Sequence, residues 1–244
     1  MPKTVVIDCF PERLARYCGG GWTVVAVDVI RATTTAVTAV AGGRRCYPAP
    51  TLEAALALVA RLHDPLLVGE LGGNIPYGFE ENNSPARVAR RTDVDRPMVL
   101  LSTSGTRLFS EAGPYEAVYA ACLRNYTAQV ERLAGRHDRV LVIGAGARGE
   151  FREEDQVVCA WIAGGLVEAG YQPLAETAEI VARWRDAPVE AVAGGRSAEY
   201  LRRTGQVDDL EFVLAHIDDL TATFQLDGEG LVMRPGGHGK ARSA

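Results

Sequence analysis

The 244-residue chain contains no apolar run approaching the roughly 18–20 residues of a membrane-spanning helix, so nothing in it reads as a transmembrane segment. It also lacks the basic region and apolar core of a secretion signal. Its first patterned stretch, Thr4–Asp8, reads as a strand, and a cytoplasmic location is expected. Cysteine is scarce: Cys9, Cys18, Cys46, Cys122 and Cys159 form an odd set without a CxxC pair, which argues against a disulfide framework or a cysteine-rich zinc site. The four histidines, His63, His137, His216 and His238, are scattered, in no Arg-His-Gly motif and no metal-ligand spacing, so a histidine nucleophile or a histidine-rich dinuclear site is disfavoured. No cysteine is followed by arginine six residues on, and there is no G-x-x-x-x-G-K-[ST]. Lysine is nearly missing, Lys3 and Lys240 standing against 24 arginines, and the net charge of −5 excludes a broad basic surface for nucleic acid while leaving room for a locally basic site.

What is present is an ordinary globular composition, 47% hydrophobic and 23% charged. Short β-branched apolar runs at Thr4–Asp8, Trp22–Ile30, Leu66–Glu70, Pro97–Leu101, Glu116–Ala120 and Arg139–Ile143 alternate with helical patterns. Continuous apolar centres such as Val140-Leu-Val-Ile143 are covered on both faces in folded proteins. The expected fold is therefore α/β, a three-layer α/β/α arrangement around a largely parallel or mixed central sheet. After Phe151 helical patterns dominate, at Glu154–Gly170, Ala175–Arg185, Ser197–Arg203 and Asp208–Ile217, and a final Thr221–Leu226/Leu231–Arg234 pair reads as a hairpin at a sheet edge. Residues 1–235 read as one unit, with a change of character near residue 150, and residues 236–244 read as a disordered tail.

In open α/β sheets ligands bind beyond the carboxyl ends of the strands, and the turns there are polar in this chain. The first, Asp28-Val-Ile-Arg31-Ala-Thr33-Thr34-Thr35, supports two readings: helix capping by Asp and Thr, or an anion site made by Arg31 and free helix amides. The second runs from Glu70 through three glycines to Asn83-Ser84-Pro85, where Ser84 is placed to cap a helix with proline at its first position. The third, Ser102-Thr103-Ser104-Gly105-Thr106-Arg107, combines hydroxyls, glycine and arginine in a pattern suited to a tetrahedral oxyanion. The fourth, Gly144-Ala-Gly146-Ala-Arg148-Gly149, fits the G-x-G-x-x-G dinucleotide fingerprint. Glu150, Glu153, Glu154 and Asp155 crowd the place of a pyrophosphate, so a nucleotide-binding oxidoreductase is kept as an alternative, beside a non-catalytic anion-binding protein. Asp93-Val-Asp95 looks like an aspartyl nucleophile motif but precedes its strand. Carboxylates, hydroxyls, arginines and glycines at strand ends suit a hard cation such as Mg²⁺ with an oxyanion ligand.

Taken in order, VDVIRATTT at Val27–Thr35, GELGG at Gly69–Gly73, GFEENNSP at Gly78–Pro85, STSGTR at Ser102–Arg107, LRN at Leu123–Asn125 and GARGEFREEDQVVCA at Gly146–Ala160 resemble the 2-phosphosulfolactate phosphatase family, often called the ComB family. The chain departs from the family pattern at Ser104 and Asn82. The resemblance implies a Mg²⁺-dependent acid phosphatase that converts 2-phosphosulfolactate, or a related phosphorylated hydroxy acid, to 3-sulfolactate and phosphate. Asp28, Glu70 and Asp155 are expected to gather at the carboxyl edge as the catalytic residues, some of them holding Mg²⁺ directly or through water. Arg31, Thr33, Thr34, Asn83, Ser84, Ser102, Thr103, Gly105, Thr106, Arg107, Asn125 and Arg148 become the candidate substrate-binding set. The expected partner is a small anionic phosphorylated substrate, not nucleic acid or membrane, and a homo-oligomer is compatible with this reading.

Overall fold

A computed structural model describes residues 2–110, 115–147 and 149–235. Ten strands form one continuous mixed sheet: β1 (Thr4–Asp8), β2 (Thr23–Val27), β3 (Cys46–Ala49), β4 (Leu66–Gly69), β5 (Met98–Leu101), β6 (Ala117–Ala121), β7 (Arg139–Gly144), β8 (Gln172–Pro173), β9 (Thr223–Asp227) and β10 (Gly230–Arg234). Their order is β4-β5-β3-β10-β9-β6-β2-β7-β1-β8. Strands β6, β2, β7, β1 and β8 form one parallel block, and β3, β5 and β4 form another. The β9–β10 hairpin joins them through antiparallel pairings on both sides. Three antiparallel steps in succession mean that the two blocks run in opposite directions. The hairpin therefore lies in the middle of the sheet, correcting the expectation of an edge position.

Helices α1 (Ala32–Ala41), α2 (Leu52–Val59), α3 (Pro85–Arg90), α4 (Arg107–Ser110) and α5 (Tyr126–Ala134) follow successive strands. After β7 come α6 (Glu153–Glu168), α7 (Ala175–Trp184), α8 (Glu190–Ala193), α9 (Arg196–Arg203) and α10 (Val207–Ala215). The strand side-chain period of two divides the central residues between layers. Val24 and Ala26 pack with Ala36, Val37 and Val40 of α1, whereas Val25 and Val27 pack with Val157, Val158 and Ile162 of α6. Burial on both faces explains why these strands read as unbroken apolar runs. Helix α6 is itself buried on most sides, against the sheet and against α5 and α7. The polar tail lies outside the described residues, as does Arg148.

The reversal of direction alters the expected ligand edge, because a single set of parallel carboxyl ends no longer describes it. The ends of β4 and β5 nonetheless reach the end of β2: an ideal Cβ on Gly105 would lie 2.1 Å from Asp28 Oδ2. Strand twist of about 20–25° per step, summed over the five steps from β2 to β5, amounts to roughly 100° or more and swings the second block toward the first.

Candidate functional site

The polar turns enclose a cavity of about 240 Å³ where the two blocks meet. Asp28, Arg31, Glu70, Asn83, Ser102, Thr103 and Asp155 line it, as the sequence led us to expect. Asp28 follows β2 directly, and its carboxyl accepts the Ala32 amide at the start of α1. Asp155, in the first turn of α6, accepts the Val29 amide at 2.8 Å through Oδ1, fastening the β2–α1 turn to α6. Both side chains are buried. Desolvation, then the charges of Glu70 and Glu154, push the Asp28 carboxyl up to about 7. Desolvation followed by repulsion from Asp28 raises Asp155 well above the usual carboxylate range. Two acids that resist ionising side by side form a site that a cation stabilises. Gly105 matters here because Asp28 Oδ2 and the Ala32 methyl leave no room for a side chain beneath the carboxylate.

Among the described residues, no group of three His, Cys, Asp or Glu side chains converges to hold a metal. Glu70 is instead a loop clamp: Oε1 accepts the Thr103 amide at 2.7 Å, and Oε2 accepts the Gly73 amide at 2.8 Å and the Thr103 hydroxyl at 3.0 Å. The oxygen set that remains suits a hard cation that keeps several waters: Asp28, Asp155 and the Asn83 side chain, whose Oδ1 is buried without a hydrogen-bond partner on the cavity wall.

Other expected ligand residues serve the backbone instead. Thr33 Oγ1 donates to the carbonyls of Asp28 and Ala121, and Thr34 Oγ1 donates to that of Val29, all at 2.8 Å. Thr106 Oγ1 closes the β5–α4 turn by donating to the Ser102 carbonyl at 2.9 Å, and Ser102 Oγ accepts the Gly105 amide at 3.0 Å. Asn125 spans the β6–α5 turn, accepting the Cys122 amide and donating to the Ala120 carbonyl. Ser84 caps α3 and donates to Asp209. None of Thr33, Thr34, Ser84, Thr106 and Asn125 lies on the cavity wall. The reason is common to all: a buried strand-to-helix turn leaves main-chain groups that short polar side chains satisfy. Arg107 lines a neighbouring recess of about 20 Å³ with Cys9, Ser104 and Gly146. Arg31 does line the cavity, but its Nη1 is held by Asp209 at 2.5 Å and Gln206 at 2.6 Å, with both members of the ion pair buried. Asp93 belongs to an ion-pair knot with Arg44, Arg91 and Arg96, which holds its carboxyl well below the usual range, and it lines neither the cavity nor the recess beside it.

Sequence reasoning missed the opposite wall. Arg152 precedes α6, and Arg196, Ser197, Tyr200 and Leu201 come from α9. Tyr200 donates to the Gly73 carbonyl at 3.1 Å, and Ser197 is hydrogen bonded to buried Glu154. Arg152 stood within the quoted 146–160 stretch, whereas α9 carries only an amphipathic pattern. The dinucleotide reading loses its geometric basis, since β7 ends at Gly144 and α6 begins only at Glu153, with three acids in its first turn.

These features define an α/β protein whose cavity sets a buried carboxylate pair against arginines, at the junction of two opposed parallel blocks. The family model described as 2-phosphosulpholactate phosphatase matches residues 10–225, and the chain belongs to that family. It is 31% identical over 196 residues to the 2-phosphosulfolactate phosphatase of Methanothermobacter thermautotrophicus, covering 80% of this chain and 83% of that one. It is 29% identical over 205 residues to a probable 2-phosphosulfolactate phosphatase of Synechococcus sp. WH7803, covering 81% and 83%. A probable 2-phosphosulfolactate phosphatase of Pseudothermotoga lettingae is 40% identical over 136 residues, a match that spans 56% of this chain and 58% of that relative.

Proposed function

We propose that the protein is a phosphoric monoester hydrolase that uses Mg²⁺ to convert 2-phosphosulfolactate, or a closely related phosphorylated hydroxy acid, to 3-sulfolactate and phosphate. The observation that carries the reading is the buried Asp28–Asp155 pair lining one cavity together with arginine side chains and strand-end hydroxyls. In the reaction, water adds to phosphorus, the phosphorus–ester oxygen bond breaks, and the hydroxy acid leaves with a proton. Asp28, Asp155 and the Asn83 side-chain oxygen would hold the cation, which when bound would supply charge neutralisation and polarisation of the phosphoryl group.

The protein's own residues supply position and charge. The α1 amide at Ala32 and the Val29 amide fix the two carboxylates. The Glu70 clamp fastens the Gly72–Gly73 turn to Thr103 after β5, which fixes the shape of that side of the cavity. Arg31, locked by Asp209, contributes fixed positive potential.

The test is phosphate release from 2-phosphosulfolactate and a panel of phosphorylated hydroxy acids, with Mg²⁺ and after chelation. Turnover should require the cation and fall by about a hundredfold or more in Asp28→Asn and Asp155→Asn, the scale on which displaced charge in a site is felt. Absence of release from every substrate sinks the phosphatase reading; undiminished release by the chelated protein sinks the metal assignment.

A further inference from the structure

Three arginines line the cavity among the described residues, and their commitments differ. Arg31 is tied to Asp209 with both side chains only 5% exposed, so it has no charge to redirect. Arg152 and Arg196 share one carboxylate, Glu150. Its Oε2 accepts from Arg196 Nη1 and lies 3.4 Å from Arg152 Nη1. The second contact is long for a charge-assisted hydrogen bond, and the other acceptor given to Arg152, the Phe151 carbonyl, is at 3.5 Å. Glu150 and Arg196 are 54% and 73% exposed, so water and salt screen their attraction and little is lost when the pair is exchanged for another.

Glu150 lines the neighbouring recess and reaches two guanidinium groups that line the cavity, and a carboxylate so held displays the ligand chemistry those groups accept. Guanidinium forks match the planar or tetrahedral oxygens of carboxylate, sulfonate and phosphate. The carboxylates Asp28 and Asp155 lie between strand ends on the sheet side, whereas Arg152 and Arg196 come from the chain before α6 and the start of α9. A ligand with two acid groups can address both features at once.

We propose that Arg152 and Arg196 form a second anion subsite, for a carboxylate or sulfonate of the substrate rather than its phosphoryl group, and that Glu150 is the carboxylate this group displaces. The proposal rests on the reading of the substrate as a phosphorylated acid. It assigns selectivity for a further acid group to Arg152, at the end of the β7–α6 connection, and to Arg196 of α9. Glu150 then acts as a resident competitor whose removal improves binding.

Calorimetric titration of the full chain with 3-sulfolactate, and separately with inorganic phosphate, tests this. Arg196→Gln should weaken 3-sulfolactate about tenfold more than it weakens phosphate, while Glu150→Gln should tighten 3-sulfolactate about threefold or more, on the scale of single charge contacts. In turnover the Arg196→Gln effect should appear in KM more than in kcat. Both side chains are exposed, and unchanged melting temperatures will show that the variants fold. Equal weakening of both ligands by Arg196→Gln, weaker 3-sulfolactate binding in Glu150→Gln, or no binding of 3-sulfolactate by the unaltered protein overturns the subsite. The two readings fail separately. Differential 3-sulfolactate binding without any phosphate release removes the phosphatase and keeps the subsite; turnover with binding indifferent to both substitutions does the reverse.

Discussion

Asp28 concentrates the chemistry of the site in one side chain, because burial and neighbouring acids oppose its charge while the Ala32 amide supports it. Its carboxyl is raised to about 7 in the folded protein, against an ordinary value of 3.8. The folded state therefore holds the proton more tightly than the unfolded state does. The stability this provides is complete below the ordinary value and is lost as pH rises through about 7. Metal-free protein should lose stability between about pH 4 and pH 7, with Asp28 contributing at most on the order of 1 kcal/mol per pH unit. In Asp28→Asn the slope should shrink without vanishing, since Asp155 and Glu154 are shifted in the same direction. Mg²⁺ should restore stability in the unaltered protein at pH 8, because cation binding favours the deprotonated pair. Urea denaturation at four pH values, with and without the cation, gives the answer. Identical slopes in the two proteins would show that Asp28 titrates normally.

At the scale of elements, Asp209 of α10 unites three pieces of the site. It pairs with Arg31 on the β2–α1 turn, accepts the Ser84 hydroxyl at 2.5 Å, and accepts the Ala86 amide at 3.2 Å in α3. Truncating it leaves a buried guanidinium without a counter-charge and an α3 cap without its anchor. Asp209→Ala should cost about 3–5 kcal/mol. Combining Arg31→Met with Asp209→Leu should cost less than Asp209→Ala alone, since no charge is then stranded. Chemical denaturation of the single and double variants checks the cycle, and a cost below about 1 kcal/mol for Asp209→Ala would mean that water reaches Arg31. The strand-end carboxylates were legible as cavity residues because apolar runs announce where β2 and β4 stop, but the run alone does not tell Asp28 from Glu70, which clamps its own loop. Short polar side chains were ambiguous, since Thr33, Thr34, Thr106 and Asn125 carry the same signal whether they face a ligand or the turn's own main chain. Asp209 and the α9 wall left no local trace: their role exists only once helices far along the chain are laid across the turns. Strand β3 was hidden by Pro48, a residue that argues against a sheet interior. It is accommodated because β3 pairs in parallel with β5 along its length but meets β10 only at Cys46↔Leu231.

For the whole molecule, the decisive feature is the β9–β10 hairpin, because it sets how two oppositely directed parallel blocks are fastened. Apolar runs predicted most of the individual strands, but strand order is a matter of pairing between distant residues, and a hairpin at the end of the chain looks the same at an edge or in the centre. Its central position makes Phe224 a seam residue. Phe224 is fully buried, pairs with Ala120 of β6 and Met233 of β10, and packs in the same cluster as Val24, Val37, Cys46 and Leu100 from both blocks. Phe224→Ala should cost about 3–5 kcal/mol through the cavity it leaves. The loss should be felt beyond the hairpin, since the approach of Gly105 to Asp28 depends on the angle between the blocks. A shift of about 1 Å there is enough to reduce turnover by roughly a hundredfold. Hydrogen exchange should therefore show faster exchange in β3 and β5 as well as in β9 and β10, and phosphate release should fall together with stability. If exchange rises only in the hairpin while turnover is unchanged, the two blocks are held in register by their helices, and the hairpin merely fills the gap between them.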